Sequence, residues 1–400
     1  MRTVKKVARS TPQLSTLNPQ PATRNAQPLN IYIHFPFCRS KCAYCALHSS
    51  VGRSLRDRRD YVTRIVRDLE SLFTNPQPAT RNTQLATLYF GGGTPALCDL
   101  QPILDCLSPH LLSPTSQRQT TNDQPPTEFT VELNPLDVTP TLLNQLRAGG
   151  VNRLSMGVQS FDDAVLRSMG RPHTAVQALT AWHMIRDAGF DNAGIDLICG
   201  WPSERRNGPI SDPWRRTLET TVTLAPDHCS VYTLILEPKT CLALDVERGR
   251  VRLPSDDVAL AELAATECAL ASIGLERYEI SSFAKPGKEC RHNLATWRGE
   301  DYIGIGDGAC SREGNAVSRV IFRLRLLKEG FSPSQAAADF PELTPRVEEW
   351  CATLDRFAAE GLLTSHSSQS LNPPIRNPST TYFLTPRGAE VCDTILAELV

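Results

Sequence analysis

Residues 30–45, NIYIHFPFCRSKCAYC, run a short apolar segment straight into three cysteines at CxxxCxxC spacing. A disulfide uses two thiols, and a structural zinc or a closed iron–sulfur cube uses four ligands, so three cysteines leave one position open. Three thiolates can hold three irons of a four-iron cube and leave the last iron to a small molecule bearing an amine and a carboxylate. The competing reading is zinc, which needs a fourth protein ligand, and His34 or His48 could supply it.

Working outward, short apolar runs recur at 30–35, 86–90, 128–133, 151–157, 192–198 and 229–236, which predicts six strands,. Helix signatures lie between them. Val62, Ile65, Val66, Leu69, Leu72 and Phe73 share a face; Thr139-Pro140 opens a helix that Gly149-Gly150 closes; Thr174 precedes Val176, Leu179, Trp182 and Ile185, with Gly189 as the stop,. Strict alternation of strand and helix predicts an α/β fold on a parallel sheet, curled as in a barrel or open. The cysteines follow strand one, Gly91-Gly92-Gly93-Thr94-Pro95 follows strand two and Glu132 ends strand three. Gly157-Val158-Gln159 ends strand four, and Asp196 lies near the end of strand five. A parallel sheet gathers all of them at its C-terminal rim, where ligands bind. The Gly turn offers a nest of backbone N–H groups, and Glu132, Gln159, Arg171 and Asp196 add polar groups for an ammonium, a ribose and a carboxylate.

Related Pro/Asn/Gln/Thr-rich stretches at 17–29, 74–85 and 371–379, and the polar run 113–127, cannot build a core and read as loop insertions, each stopping just before a strand,. The 400 residues, 40% apolar and 21% charged, suit one domain of about 250–300 residues with a smaller one attached,. A net charge of −1 provides no field for nucleic acid,. No secretory apolar region and no run of about 18 apolar residues occurs, which predicts a cytoplasmic chain,. Thirteen cysteines, odd in number and dispersed, predict a reducing compartment,. Cys98, Cys106, Cys229, Cys241, Cys268, Cys351 and Cys392 are expected to be small buried hydrophobes.

The set CxxxCxYC, YFGGGTP, VELNP, RLSMGVQSF, LRSMGRPHT, GIDLICGWP and YIGIGDGA closely resembles the radical S-adenosylmethionine (SAM) superfamily, specifically the oxygen-independent coproporphyrinogen oxidase family, over residues 30–400 apart from the insertions. The resemblance implies an incomplete (β/α)6 barrel followed by a small α+β winged-helix-like domain. It also implies a [4Fe–4S] cluster on Cys38, Cys42 and Cys45, with SAM chelating the open iron. Tyr32, Tyr44, Gly92, Gly93, Thr94, Glu132, Gln159, Arg171 and Asp196 fall on the family's SAM-contact positions.

Two branches of that family share this core. The oxidase branch, which decarboxylates coproporphyrinogen III, has another cysteine two positions past the third ligand; here Leu47 stands there. The heme chaperone branch carries an HNxxYW motif, and residues 292–297 read HNLATW, with Thr296 at the tyrosine position. The resemblance therefore favours heme binding, with His292 offered to the iron, and transfer to an acceptor protein. It implies an electron donor for the cluster and leaves room for transient membrane association. Cys310 stands where the family has histidine. The expected division is 1–29 low-complexity, 30–240 barrel, 241–315 an extension with the heme motif, and 316–400 the C-terminal domain. A helix is expected over 255–273, another over 345–363, and a strand, a turn and a final helix from about Thr385. Glu348, Glu349, Asp355, Glu360, Glu390 and Glu398 argue against DNA binding by this end and for a lid or docking surface,.

Overall fold

In the computed structural model, which describes residues 29–74, 85–111, 127–203, 208–312, 316–367 and 380–400, the segment entering the cysteines is strand β1 (Leu29–Phe35). Ile31, Ile33 and Phe35 are fully buried on one side of it, and alternation puts Tyr32 and His34 on the other,. Next, β2 (Phe37–Cys38) pairs in parallel with β3 (Ser50–Val51) and closes the base of the cysteine loop. Helix α1 (Leu55–Thr74) buries Tyr61, Val62, Ile65 and Leu69 as its periodicity predicts.

The alternation continues through β4 (Leu85–Gly92), α2 (Gln101–Leu107), β5 (Glu128–Leu133), α3 (Pro140–Ala148), β6 (Arg153–Gln159), α4 (Asp163–Ser168), α5 (Ala175–Asp187), β7 (Ala193–Cys199), α6 (Asp212–Leu224) and β8 (His228–Thr233). Local chemistry sets these boundaries. Thr139 accepts from the Leu142 N–H ahead of Pro140, and Thr174 and Gln177 form a reciprocal capping box,. Val176 is an exception to its apolar face, being 68% exposed in the first turn of α5.

All six expected strands exist and pair in parallel in chain order, β1-β4-β5-β6-β7-β8. The sheet is nevertheless larger. After α7 (Cys241–Glu247) and α8 (Asp256–Ala271), β9 (Glu276–Arg277) and β10 (Ser282–Ala284) add antiparallel strands beside β8. After α9 (Arg291–Arg298), β11 (Tyr302–Ile305) joins β1 in parallel, giving the order β11-β1-β4-β5-β6-β7-β8-β10-β9. The two edges do not pair, so the barrel is incomplete. These extra strands are too short to carry a periodic apolar signal, and their neighbours create them.

Outward faces such as Leu88, Phe90, Phe129, Val131, Met156 and Ile195 form the core under the helices. Inward faces are polar yet buried: Thr87, Glu128, Thr130, Arg153, Ser155 and His228. Thr87, Glu128, Ser155 and His228 find hydrogen-bond partners there, while Thr130 Oγ1, Arg153 Nε and His228 Nδ1 have none among the described residues,.

The chain ends in α10 (Ala316–Ile321), α11 (Pro333–Asp339), α12 (Val347–Ala359), β12 (Leu363–Ser367), β13 (Thr380–Leu384), α13 (Pro386–Glu390) and α14 (Cys392–Leu399). Phe331, Trp350, Leu354, Tyr382 and Ile395 give this part its own core, with β12 and β13 antiparallel. The expected final helix is split at Val391, and the 345–363 helix is confined to α12. The bodies of the four insertions and the first 28 residues lie outside the described residues; β1, β4, β5 and β13 begin where each insertion stops. Cys241 and Cys268 are exposed and Cys106 and Cys351 only half-buried, which corrects the reading of all seven as buried hydrophobes. Among the described residues no helix is long and apolar enough to cross a membrane.

Candidate functional site

Cys38, Cys42 and Cys45 are free, half-buried thiols on one loop, and all three line a cavity of about 1220 Å³ at the C-terminal rim. The loop is tied down along its length. The Cys45 N–H donates to the Cys42 carbonyl (3.2 Å), Ala43 pairs with Met169 and Leu242 (2.9 and 2.8 Å), and Lys41 Nζ reaches the Leu47 carbonyl and Ser49 Oγ (both 2.8 Å). Arg39 pairs with Asp137 at 2.6 Å.

His34 is not a free fourth ligand. Its Nε2 lies 2.8 Å from the His48 carbonyl, which can only accept, so Nε2 carries the proton and Nδ1 accepts from the Tyr32 hydroxyl at 3.0 Å,. Among the described residues no three His, Cys, Asp or Glu side chains converge on a point suited to one metal ion. In a cube each of the three thiolates would take a different iron. Burial pushes the Cys38 thiol up, so without a bound cation it keeps its proton,.

The glycines that end β4 and open the following turn are closely packed. A Cβ on Gly91 would meet the Glu132 carboxyl at 3.0 Å, one on Gly92 (φ +102°) the His34 ring at 2.5 Å, and one on Gly93 the Phe37 and Phe35 carbonyls at 2.5 and 2.6 Å,. The turn is thus packed against the strand that delivers the cysteines. The expected nest of donors is narrower than the sequence suggests: the Gly92 N–H donates to Glu132 Oε2 (3.0 Å) and the Gly93 N–H to the Phe35 carbonyl (2.7 Å). Thr94 is buried, and its hydroxyl accepts from Asn134 Nδ2 at 2.6 Å.

Beyond the turn, Glu132 Oε1 also accepts from Tyr89 (2.8 Å), and burial raises its carboxyl to about 7,. Asp196 accepts from Ser155 at 3.0 Å and is likewise raised by burial. Arg171 bridges three groups: Asn134 Oδ1 and the Gly157 carbonyl at 2.5 Å each, and Cys42 Sγ at 3.5 Å. Asn134, which sequence reasoning quoted within VELNP without giving it a role, therefore joins Thr94 to Arg171 and so to a cysteine. Its signal was its place just past a strand end. Gln159 adopts φ +70°, a left-handed conformation that is costly outside glycine, at a register shift between β6 and β7,. Tyr44 sits edge-on to Trp201 at 5.8 Å. Cys38, Cys42, Cys45, Tyr44, Gly92, Gly93, Thr94, Glu132, Gln159, Arg171 and Asp196 all line the one cavity.

Tyr32 and His292 do not line it. Tyr32 packs on Tyr89 and His292 inside the sheet, at 6.0 and 6.3 Å. His292 is 6% exposed; its Nδ1 bonds the Thr87 hydroxyl (2.8 Å) and its backbone N–H donates to Glu128 Oε1 (3.0 Å). Burial lowers the imidazole to about 4. Thr87 and Glu128 lie in the first halves of their strands, whereas the cysteines lie at and beyond the other strand ends. His292 therefore belongs to the floor of the sheet, away from the rim. Trp297 of the same motif instead faces the C-terminal part, 4.5 Å from the Arg325 guanidinium and 6.0 Å from Phe322.

An open parallel sheet with three cysteines and a Gly turn at its rim defines a radical SAM protein, and the Radical SAM superfamily model matches residues 32–207. The fold is similar over 93% of this chain and 90% of the other to coproporphyrinogen III oxidase (HemN) from Escherichia coli, described as a radical SAM enzyme, with a TM-score of 0.69 at 21% identity. Heme chaperone HemW of Bacillus subtilis is 34% identical over 281 residues, 70% of this chain and 69% of the relative. HemW of Escherichia coli K12 is 34% identical over 285 residues, with the same two shares. The chain belongs to the HemW family.

Proposed function

We propose that this chain is a cytoplasmic heme chaperone: it binds heme and a SAM-capped [4Fe–4S] cluster and passes heme to an acceptor protein. The supporting observation is the large cavity that has the three cysteines at one end and extends well past them. Cys38, Cys42 and Cys45 would hold the cluster, which when bound supplies one-electron reduction and calls for a protein electron donor. Glu132 would be the carboxylate for the amino end and positive charge of SAM, Asp196 and Gln159 would serve its ribose and carboxylate, and Tyr44 would lie on the side next to the cysteine loop. Arg171 places a fixed positive charge 3.5 Å from the Cys42 sulfur. The chain divides accordingly into a barrel over 30–240, an extension over 241–315 and a C-terminal unit over 316–400.

Leu47, 56% exposed on the cavity wall where the oxidase branch has cysteine, is the feature that sets this reading against coproporphyrinogen oxidation. Anaerobically reconstituted protein is expected to bind hemin without converting coproporphyrinogen III to protoporphyrinogen IX. Robust decarboxylation would overturn the assignment.

A further inference from the structure

The cavity has two unlike halves. Its volume of about 1220 Å³ exceeds the roughly 300–1,000 Å³ that suits one small ligand,. The cysteine end is polar. The other half is walled by Tyr232, Ile235 and Leu260 on the barrel side and Val391 on the C-terminal side, which are 47, 63, 36 and 38% exposed. Large apolar side chains left open together in a concave surface mark a place that an apolar partner covers.

Cationic groups stand on the C-terminal side of this half. Arg325 lines it with Nη1 on Asp393 (3.1 Å), while its Nε–H is buried with no hydrogen-bond partner among the described residues. Arg387 also lines it and is in no ion pair among the described residues. Arg277 is not available, being committed to Glu267 and the Ile280 carbonyl. Glu390 and Asp393 are the acids on the same side; Asp393 is taken by Arg325, and burial raises the Glu390 carboxyl.

We propose that this half of the cavity seats heme, with Arg325 and Arg387 meeting its two propionates and Trp297 holding Arg325 in place. The proposal rests on the heme chaperone reading and gives it a location. A flat, largely apolar ring edged by two carboxylates matches apolar walls with two guanidinium groups. It also explains why a motif whose histidine is sealed in the floor ends in a tryptophan. Trp297 is a positioning residue, lying 4.5 Å from a guanidinium that the ligand meets,.

The test is anaerobic titration of the cluster-loaded full chain with hemin and, in parallel, with hemin dimethyl ester, whose carboxylates are masked. Wild type is expected to bind one hemin, with the ester about tenfold weaker or worse, because charge-assisted hydrogen bonds are lost. R387Q, at an exposed residue outside any described ion pair, is expected to weaken hemin about tenfold and leave the ester unchanged. R325Q should do the same, and W297F should weaken hemin in the wild-type background but add nothing to R325Q. Hemin binding unchanged in R387Q and R325Q, or an ester as tight as hemin in wild type, would overturn the location. A wild type that binds no hemin sinks the chaperone reading itself.

Discussion

Glu132 would give the proposed SAM site a pH dependence whose sign and size follow from its surroundings. Its carboxyl is raised to about 7 by burial, with Asp196 adding repulsion, against hydrogen bonds from Tyr89 and Gly92 that favour the charged form. Without a ligand the carboxylate therefore forms only as pH passes through neutrality. With an apparent value near 7, about a tenth of the molecules carry the charge at pH 6 and about nine-tenths at pH 8. A ligand whose amino group and positive centre need that carboxylate gains about ninefold in affinity over the interval. SAM has titrating groups of its own, so the useful quantity is the ratio of wild-type to E132Q affinity, measured calorimetrically at several pH values on anaerobic protein. The ratio is expected to rise about ninefold from pH 6 to pH 8, with proton release on binding near pH 7 in wild type only. A ratio that stays flat would refute the reasoning. The same shift costs the ligand-free fold stability as pH climbs from about 4.5 to about 7, because the folded chain resists losing this proton more than the unfolded chain does,.

Glu262 of α8 is 1% exposed and accepts from the Gly200 N–H (2.7 Å), the Ser211 N–H (3.0 Å) and the Ser211 hydroxyl (2.6 Å). E262Q turns an amide donor toward one of these donors and removes the charge, so urea unfolding should register a loss of about 3 kcal/mol; a change under about 0.5 would contradict that geometry. G93A drives a Cβ into two backbone carbonyls and should destabilise by about 1–3 kcal/mol while lowering iron retained after reconstitution,. Retention and melting temperature equal to wild type would mean the turn does not brace the cysteine loop. H292A breaks the bond to Thr87 in the floor and should lower the melting temperature without altering the hemin spectrum or affinity; an altered spectrum would return His292 to the iron.

The six parallel strands were legible because each is a continuous apolar run bounded by Gly, Pro or polar insertions, and the rim followed from the alternation with helices. β9, β10 and β11 were not, since two to four residues carry no period and their pairing depends on β8 and β1 being in place. At the site, the residue types were readable from spacing, but their commitments were not. Gly92 and Gly93 look like free donors until Glu132 and Phe35 are brought against them. His34 looks like a possible ligand until His48 folds back to its Nε2. For His292, the motif names the residue without saying which end of the sheet its helix caps or that Thr87 lies against its ring. The basic side of the cavity was invisible for a related reason: Arg325 and Arg387 lie more than 200 residues from the cysteines in the sequence and share a space with them only after the C-terminal unit has docked.

The central claim, three cysteine ligands and an iron left open for SAM, is tested most directly by Mössbauer and electron paramagnetic resonance spectra of anaerobically reconstituted protein with and without SAM. The expected result is a cubic iron–sulfur cluster with one iron distinct from the other three, whose signal shifts when SAM is added and disappears as a site in a C42A chain. Tetrahedral zinc at the three sulfurs, or a cluster whose spectrum ignores SAM, would contradict it.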